Sequence, residues 1–158
     1  VEINTSMQQR SGGIMRKAYL RSVEEMGGAP TKFKDIGNIS CPLHNTYCWG
    51  IFAHIKGHKQ GDVVTNQKLL GYIKFKRNGN LATYTTILGH GEFLQFGIMH
   101  ELHFHIIAWL LNGEMPNSES LDYILYGAID SGGSGLQQWK KRALFESLEL
   151  HLSNEENS

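Results

Sequence analysis

Apolar residues recur at helical spacing early in the chain. Four of them share one face: Met15, Tyr19, Val23 and Met26. A repeat of three to four residues is typical of an amphipathic helix, and the Gly-Gly-Ala-Pro sequence at 27–30 would end it. The polar residues 1–13, which close on Ser-Gly-Gly, predict a flexible lead-in to this helix.

A second pattern alternates with period two. Residues 69–76 and 81–88 are rich in β-branched and aromatic side chains, and they flank Arg-Asn-Gly-Asn at 77–80. An Asn-Gly pair supplies the positive φ angles that a tight turn between antiparallel strands requires. The sequence therefore predicts a β-hairpin over residues 69–88.

Three further segments are predicted as helices. In residues 45–57, Asn45 can cap the first turn and Gly57 can end the last one. Residues 117–128 and 136–152 also carry apolar residues at helical spacing. In the last of these segments, a basic outer face is expected: Lys140, Lys141 and Arg142.

Residues 92–111 fit two patterns. As a helix, the segment has an apolar stripe that includes Leu102, Ile106 and Trp109, and Gly113 would end it. As a strand from Leu102 onward, every second residue is apolar, and His103 and His105 lie on the opposite side. Short apolar runs do not distinguish these structures, so both remain open.

These elements together predict an α+β fold. The chain has 158 residues, of which 41% are hydrophobic, enough for the core of one domain. We expect a single globular domain over residues 14–152, with about four helices packed on a small antiparallel sheet that contains the 69–88 hairpin. A disordered tail is expected over residues 153–158.

Charge and composition narrow the choice of partners. Lysine plus arginine number 15 and aspartate plus glutamate also number 15, so no overall field attracts nucleic acid. The longest apolar run, at 106–111, is too short to span a bilayer, and a soluble protein is expected. A peptide or protein is therefore the expected partner or substrate. The sequence predicts neither a cofactor nor a metal site, and the oligomeric state remains open.

One segment suggests a nucleophile. Cys48 would lie in the first turn of the predicted helix at 45–57, and a helix N-terminus favours the thiolate form of cysteine. A thiolate nucleophile also needs an imidazole within hydrogen-bond reach, and the imidazole needs a polar partner to orient it. His105 and Asn117 are the candidates for those two positions.

The Cys-Trp-Gly-Ile-Phe-Ala sequence at 48–53 resembles the nucleophile segment of papain-like thiol hydrolases, which include a small branch of peptidoglycan amidases. Residues 105–114, a histidine followed by apolar residues and a glycine, look like the general-base segment of that family. The resemblance implies that Cys48 attacks an amide carbonyl while His105 acts as base and then as acid. Tyr47 stands where the amidase branch has aspartate, and the oxyanion donor is unassigned.

Two other functions compete with the hydrolase. The chain fits a non-enzymatic α+β module for protein interaction or structure, in which Cys48 is an inert core residue. His103-Phe104-His105 also resembles the histidine motif of HUH nucleases, which nick single-stranded DNA with a tyrosine. Tyr123 or Tyr126 would then be the nucleophile.

Two sets of residues contain potential zinc ligands. The first set is Cys41, His44, Cys48 and His54, and the second is His100, His103 and His105. Neither set fits a tetrahedral site well, since Cys48 and His54 would diverge around a helix. The spacing between His100 and His103 is also one residue too short for the zincin motif.

Overall fold

The structure is a computed structural model, and it describes Ile3 and residues 41–60, 63–128, 130 and 132–149. The helix predicted at 15–26 and the tail at 153–158 lie outside these residues, as does the lead-in apart from Ile3. Two compact units divide the chain, Val1–Leu125 and Tyr126–Ser158, and each is described by itself. A single domain over 14–152 stays a prediction.

The first unit is built on a four-stranded sheet. Its strands are β1 (His44–Gln60), β2 (Val63–Asn78), β3 (Leu81–Gly89) and β4 (Tyr123–Leu125), in the spatial order β1-β2-β3-β4. The first three pair antiparallel, whereas β4 pairs parallel with β3. The predicted hairpin is present as β2 and β3, and Gly79 in its turn has a φ of +63°.

Helical structure is limited in the described residues. The first unit has helix α1 (Ile98–Leu111) and two short 3-10 turns, Leu94–Phe96 and Ser118–Ser120. The second unit has helix α2 (Ser134–Arg142). The prediction of about four helices on an antiparallel sheet is therefore wrong, because the described residues form two α-helices and a mixed sheet.

Residues 45–57 account for much of this error. They belong to β1, whose residues Tyr47 and Trp49 pair with Phe75 and Ile73 of β2. Apolar residues in this segment satisfy both a helical repeat and a period of two, and its aromatic and β-branched side chains favour a strand. Pairing with β2 decides between them.

The other two uncertain segments differ from each other. Residues 98–111 are helical, so the helix interpretation of that part of 92–111 is the correct one. The helix predicted at 117–128 is wrong, because the segment contains a 3-10 turn and then β4. Ala82 of β3 pairs with Ile124 in β4, and this strand pairing replaces the helical turns that the apolar spacing predicted.

The core of the first unit lies between the sheet and α1. Phe75 and Ile73 from β2 and Ile106 from α1 are fully buried. A Cβ atom on Gly71 would lie 2.6 Å from the Met99 sulfur, so the absence of a side chain lets the start of α1 approach the sheet closely. Several apolar residues of α1 complete this layer: Ile98, Met99, Leu102 and Ile106.

Arg77 of β2 is fully buried beneath the loop that follows α1. Its Nη1 donates to the Pro116 carbonyl at 3.0 Å, and its Nη2 donates to the Asn117 carbonyl at 2.9 Å and to Ser120 Oγ at 2.8 Å. Its Nε donates to the Gly79 carbonyl at 2.9 Å. The guanidinium therefore joins the hairpin turn to residues far along the chain.

The second unit has a small aromatic cluster of Tyr126, Trp139 and Phe145, with ring centroids 5.9 to 6.1 Å apart. Lys140 was expected on the outer face of α2, but it is buried, and its Nζ donates to the Ala128 carbonyl at 2.5 Å. Its Nζ also lies 5.1 Å from the Tyr126 ring centroid. In the described residues, no helix combines the length and the apolar composition needed to cross a lipid bilayer.

Tyr84 of β3 is expected to lower the free energy of unfolding of the first unit at alkaline pH. Its hydroxyl lies 3.0 Å from Nδ1 of the buried His103, and burial raises the pKa of Tyr84 well above its usual value. The folded chain thus keeps a proton that the unfolded chain loses above pH about 10. The contribution of Tyr84 to the free energy of unfolding is therefore constant below pH 10 and decreases progressively as the pH rises further.

We expect the free energy of unfolding to fall between pH 10 and 11 more steeply in the wild type than in Tyr84→Phe. The difference in slope is up to about 1.4 kcal/mol per pH unit. Urea unfolding at several pH values measures both slopes. Tyr123→Phe, at an exposed tyrosine of β4, is the matched control. Equal slopes for Tyr84→Phe and the wild type would contradict the expectation.

Candidate functional site

Cys48 lies in β1 with an exposed side chain. Its neighbours Tyr47 and Trp49 face α1, because their ring centroids lie 5.4 and 4.9 Å from that of Trp109. Successive side chains of a strand point to opposite faces of the sheet, so the Cys48 thiol lies on the face away from α1. The helix N-terminus that would favour its thiolate form is absent from 45–57.

His105 and Asn117 occupy separate places. The His105 side chain is exposed on α1, and its Nε2 lies 3.0 Å from Glu101 Oε1. Asn117 lies in the loop after α1 with a φ of 55°, and its carbonyl accepts a hydrogen bond from Arg77. The structure does not bring the Cys48 thiol to the imidazole on α1. The three catalytic roles stay predictions, without the thiol–imidazole contact that they require.

A different thiol meets an imidazole in the turn before β1. Cys41 Sγ lies 3.1 Å from His44 Nδ1, and both cysteines are free thiols. The zinc set that includes these residues does not assemble, because Cys48 and His54 are six positions apart on a strand, about 20 Å. No group of three metal-binding side chains lies together in the part of the chain that the structure describes.

The HUH-like histidines also separate. His103 is buried against Tyr84, whereas His105 is exposed and contacts Glu101. Both lie on a helix, and residues two apart on a helix do not face each other. The two imidazoles therefore do not face a common point, as they must in order to bind the cation that the nuclease motif needs.

The first unit has a groove between β1 and α1. It has a volume of about 680 Å³. β1 contributes one wall with Trp49, Gly50, Ile51 and Phe52. The opposite wall is formed mainly by α1 and includes Glu101, Leu102, His105, Ala108, Trp109 and Asn112, with Glu114 just beyond the helix. We call this feature the β1–α1 groove.

No protein-family model, curated protein or solved structure matches this chain. The chemistry of the β1–α1 groove is therefore what points to a function. Its volume lies within the range of about 300–1,000 Å³ that is typical of ligand sites.

The groove combines aromatic and acidic groups. The rings of Trp49 and Trp109 meet edge to face, with an interplanar angle of 65°. Glu101 contacts His105, and Glu114 Oε1 accepts a hydrogen bond from Asn112 Nδ2 at 3.3 Å. Its lining includes two carboxylates and neither lysine nor arginine. The groove is therefore negatively charged when His105 is neutral.

The groove runs beside an edge of the sheet. β1 is the first strand in the spatial order, and within the described residues β2 is its one strand partner. The outer side of such a strand presents backbone N–H and C=O groups to any chain that lies along it. Backbone hydrogen-bonding groups and a side-chain groove thus lie next to each other.

Sequence reasoning missed this site for an identifiable reason. When residues 45–57 are interpreted as a helix, nothing predicts a contact between Trp49 and Trp109. The helix interpretation of 92–111 is the signal that could have paired Glu101 with His105, because residues four apart on a helix are neighbours. The second wall of the groove can be recognised only when β1 is assigned as a strand.

Proposed function

We propose that the protein is a non-enzymatic binding module that holds an extended segment of a partner protein along β1. The observation that carries this proposal is the groove of about 680 Å³ beside the outer edge of β1. The partner's backbone would pair with β1, and one of its side chains would enter the groove. Addition of a strand to a sheet edge is a common mode of peptide recognition, in which pockets for alternate side chains supply specificity.

The positions of the predicted catalytic residues also favour binding over hydrolysis. A thiol hydrolase needs its cysteine and histidine within hydrogen-bond reach. Here Cys48 points away from α1, while His105 lines the groove and contacts Glu101. The groove itself therefore offers contact surface and hydrogen-bond acceptors but holds no nucleophilic thiol.

The proposal can be tested by NMR with ¹⁵N-labelled protein and a library of acetylated, amidated hexapeptides in which one central residue is varied. We expect the best peptides to shift the amide signals of Trp49 to Phe52 and of the groove side of α1. N-methylation of alternate peptide amides should abolish those shifts, because it removes the donors that pair with a strand edge. A library that shifts neither β1 nor α1 would contradict the proposal.

A matched pair of variants locates the binding site. Ala108→Arg places a long side chain inside the groove, whereas Leu111→Arg adds the same side chain at a residue that is 82% exposed and outside the groove lining. We expect Ala108→Arg to weaken peptide binding at least tenfold, about 1.4 kcal/mol, and Leu111→Arg to leave it within about twofold. If the two variants bound the peptides with equal affinity, the peptides would bind outside the groove.

A further inference from the structure

We infer that the side chain received by the β1–α1 groove is cationic, a lysine or an arginine of the partner segment. The inference rests on the proposed function and adds the chemistry of the occupant. Two independent properties of the groove favour a positive charge: its carboxylates and the tryptophan rings beside them.

The carboxylates keep capacity for a cation. Glu101 uses one oxygen toward His105, and Glu114 uses one oxygen toward Asn112. An ionised carboxylate has about four acceptor positions on two oxygens, so neither residue is saturated by its partner. Hydrogen bonds between charged groups are stronger than neutral ones, so an ammonium or guanidinium group in the groove can donate to a carboxylate of the α1 wall.

The aromatic rings of the groove also favour a cationic side chain. The ring centroids of Trp49 and Trp109 lie 4.9 Å apart in a T-shaped arrangement. The face of an indole attracts cations more strongly than that of tyrosine or phenylalanine. The methylene groups of a lysine or arginine can also bury against these rings while the charged end reaches a carboxylate.

Other occupants gain less from this lining. An aliphatic side chain of equal length gains burial against the tryptophans but leaves the carboxylates without a new partner. An acidic side chain meets two like charges and no lysine or arginine in the lining. The charge of the anchor is therefore the property by which the groove discriminates.

The test uses four hexapeptides that differ only at the central residue, which is lysine, arginine, norleucine or glutamate. Titration calorimetry at low salt should show lysine and arginine peptides binding at least tenfold tighter than the norleucine peptide, with glutamate the weakest. Raising the salt concentration should reduce the preference, because the carboxylates are largely exposed and their field is screened.

Variants assign the preference to the groove. In Glu101→Gln combined with Glu114→Gln, the ratio of lysine to norleucine affinity should fall at least fivefold, because the neutral amides cannot complement a cation. Glu119→Gln removes an exposed carboxylate that does not line the groove, and it should keep the ratio.

The outcomes separate the two proposals. If the norleucine peptide binds as tightly as the lysine peptide and Ala108→Arg blocks both, the cation preference is overturned while the binding function stands. If the preference survives in the double glutamine variant, the groove carboxylates are not its source, and the inference fails. If no peptide binds, the proposed function fails and the inference fails with it.

Discussion

Replacing Phe75 by alanine is expected to lower the free energy of unfolding of the first unit by about 4 kcal/mol. The ring is fully buried in β2, and its centroid lies 6.1 Å from that of Tyr47 and 5.9 Å from that of Tyr84. It therefore joins three neighbouring strands beneath α1. Truncation removes apolar contacts and leaves a cavity that the flanking strands cannot close without breaking their pairing.

Urea unfolding, followed by far-UV circular dichroism and by NMR signals of the first unit, measures the Phe75→Ala effect. Lys76→Ala, at an exposed neighbour on the same strand, is the matched control and should change stability by no more than about 0.5 kcal/mol. A loss below about 1 kcal/mol for Phe75→Ala would show that this ring does not occupy the centre of the core.

Replacing Arg77 by methionine is expected to cost about 3 kcal/mol. Methionine fills a similar volume, so the loss comes from the hydrogen bonds that the guanidinium donates to Pro116, Asn117 and Ser120, and to the hairpin turn. Those acceptors would remain beside an apolar side chain. Arg77→Lys keeps the charge but lacks the planar fork, so it should lie between wild type and Arg77→Met.

Thermal and urea unfolding report the size of the Arg77 effect, and NMR signals of residues 116–120 report its location. Lys74→Met, at an exposed position of the same strand, controls for the loss of a positive charge. Arg77→Met with the stability of wild type, or a loop that keeps its wild-type signals, would contradict the assigned role.

Local signals in the sequence predicted the elements that depend on neighbouring residues. The Asn-Gly pair in the hairpin turn acts within four residues, and Gly79 adopts the positive φ that the turn requires. Helix α1 ends at Leu111, just before Gly113, which also has a positive φ. These features follow from backbone preferences that need no distant contact.

Elements decided by distant partners were not predictable in this way. Residues 45–57 become a strand because β2 pairs with them, and residues 123–125 become a strand because β3 does. The burial of Arg77 is likewise set by distant groups, since nothing near it in sequence indicates the carbonyls of Pro116 and Asn117.

The candidate site depends even more on tertiary structure. A cysteine–tryptophan pair in the sequence drew attention to Cys48, but alternation along β1 turns its thiol away from α1 and turns Trp49 toward it. Trp49, to which the sequence analysis gave no role, is thus the residue that lines the groove. Motif reasoning drew attention to residues 48–53, but it predicted a helix where the structure has strand β1.

The hydrogen bonds of Arg77 also affect how the first unit opens by local unfolding. They connect positions 39 to 43 residues apart, so the hairpin can form while its guanidinium is still hydrated. Taking that charge out of water without its carbonyl acceptors would be costly, so its dehydration and closure of the loop must occur together. Transient opening should therefore expose the amides of residues 117–120 as one cooperative unit in hydrogen exchange, while the amides of the hairpin stay protected.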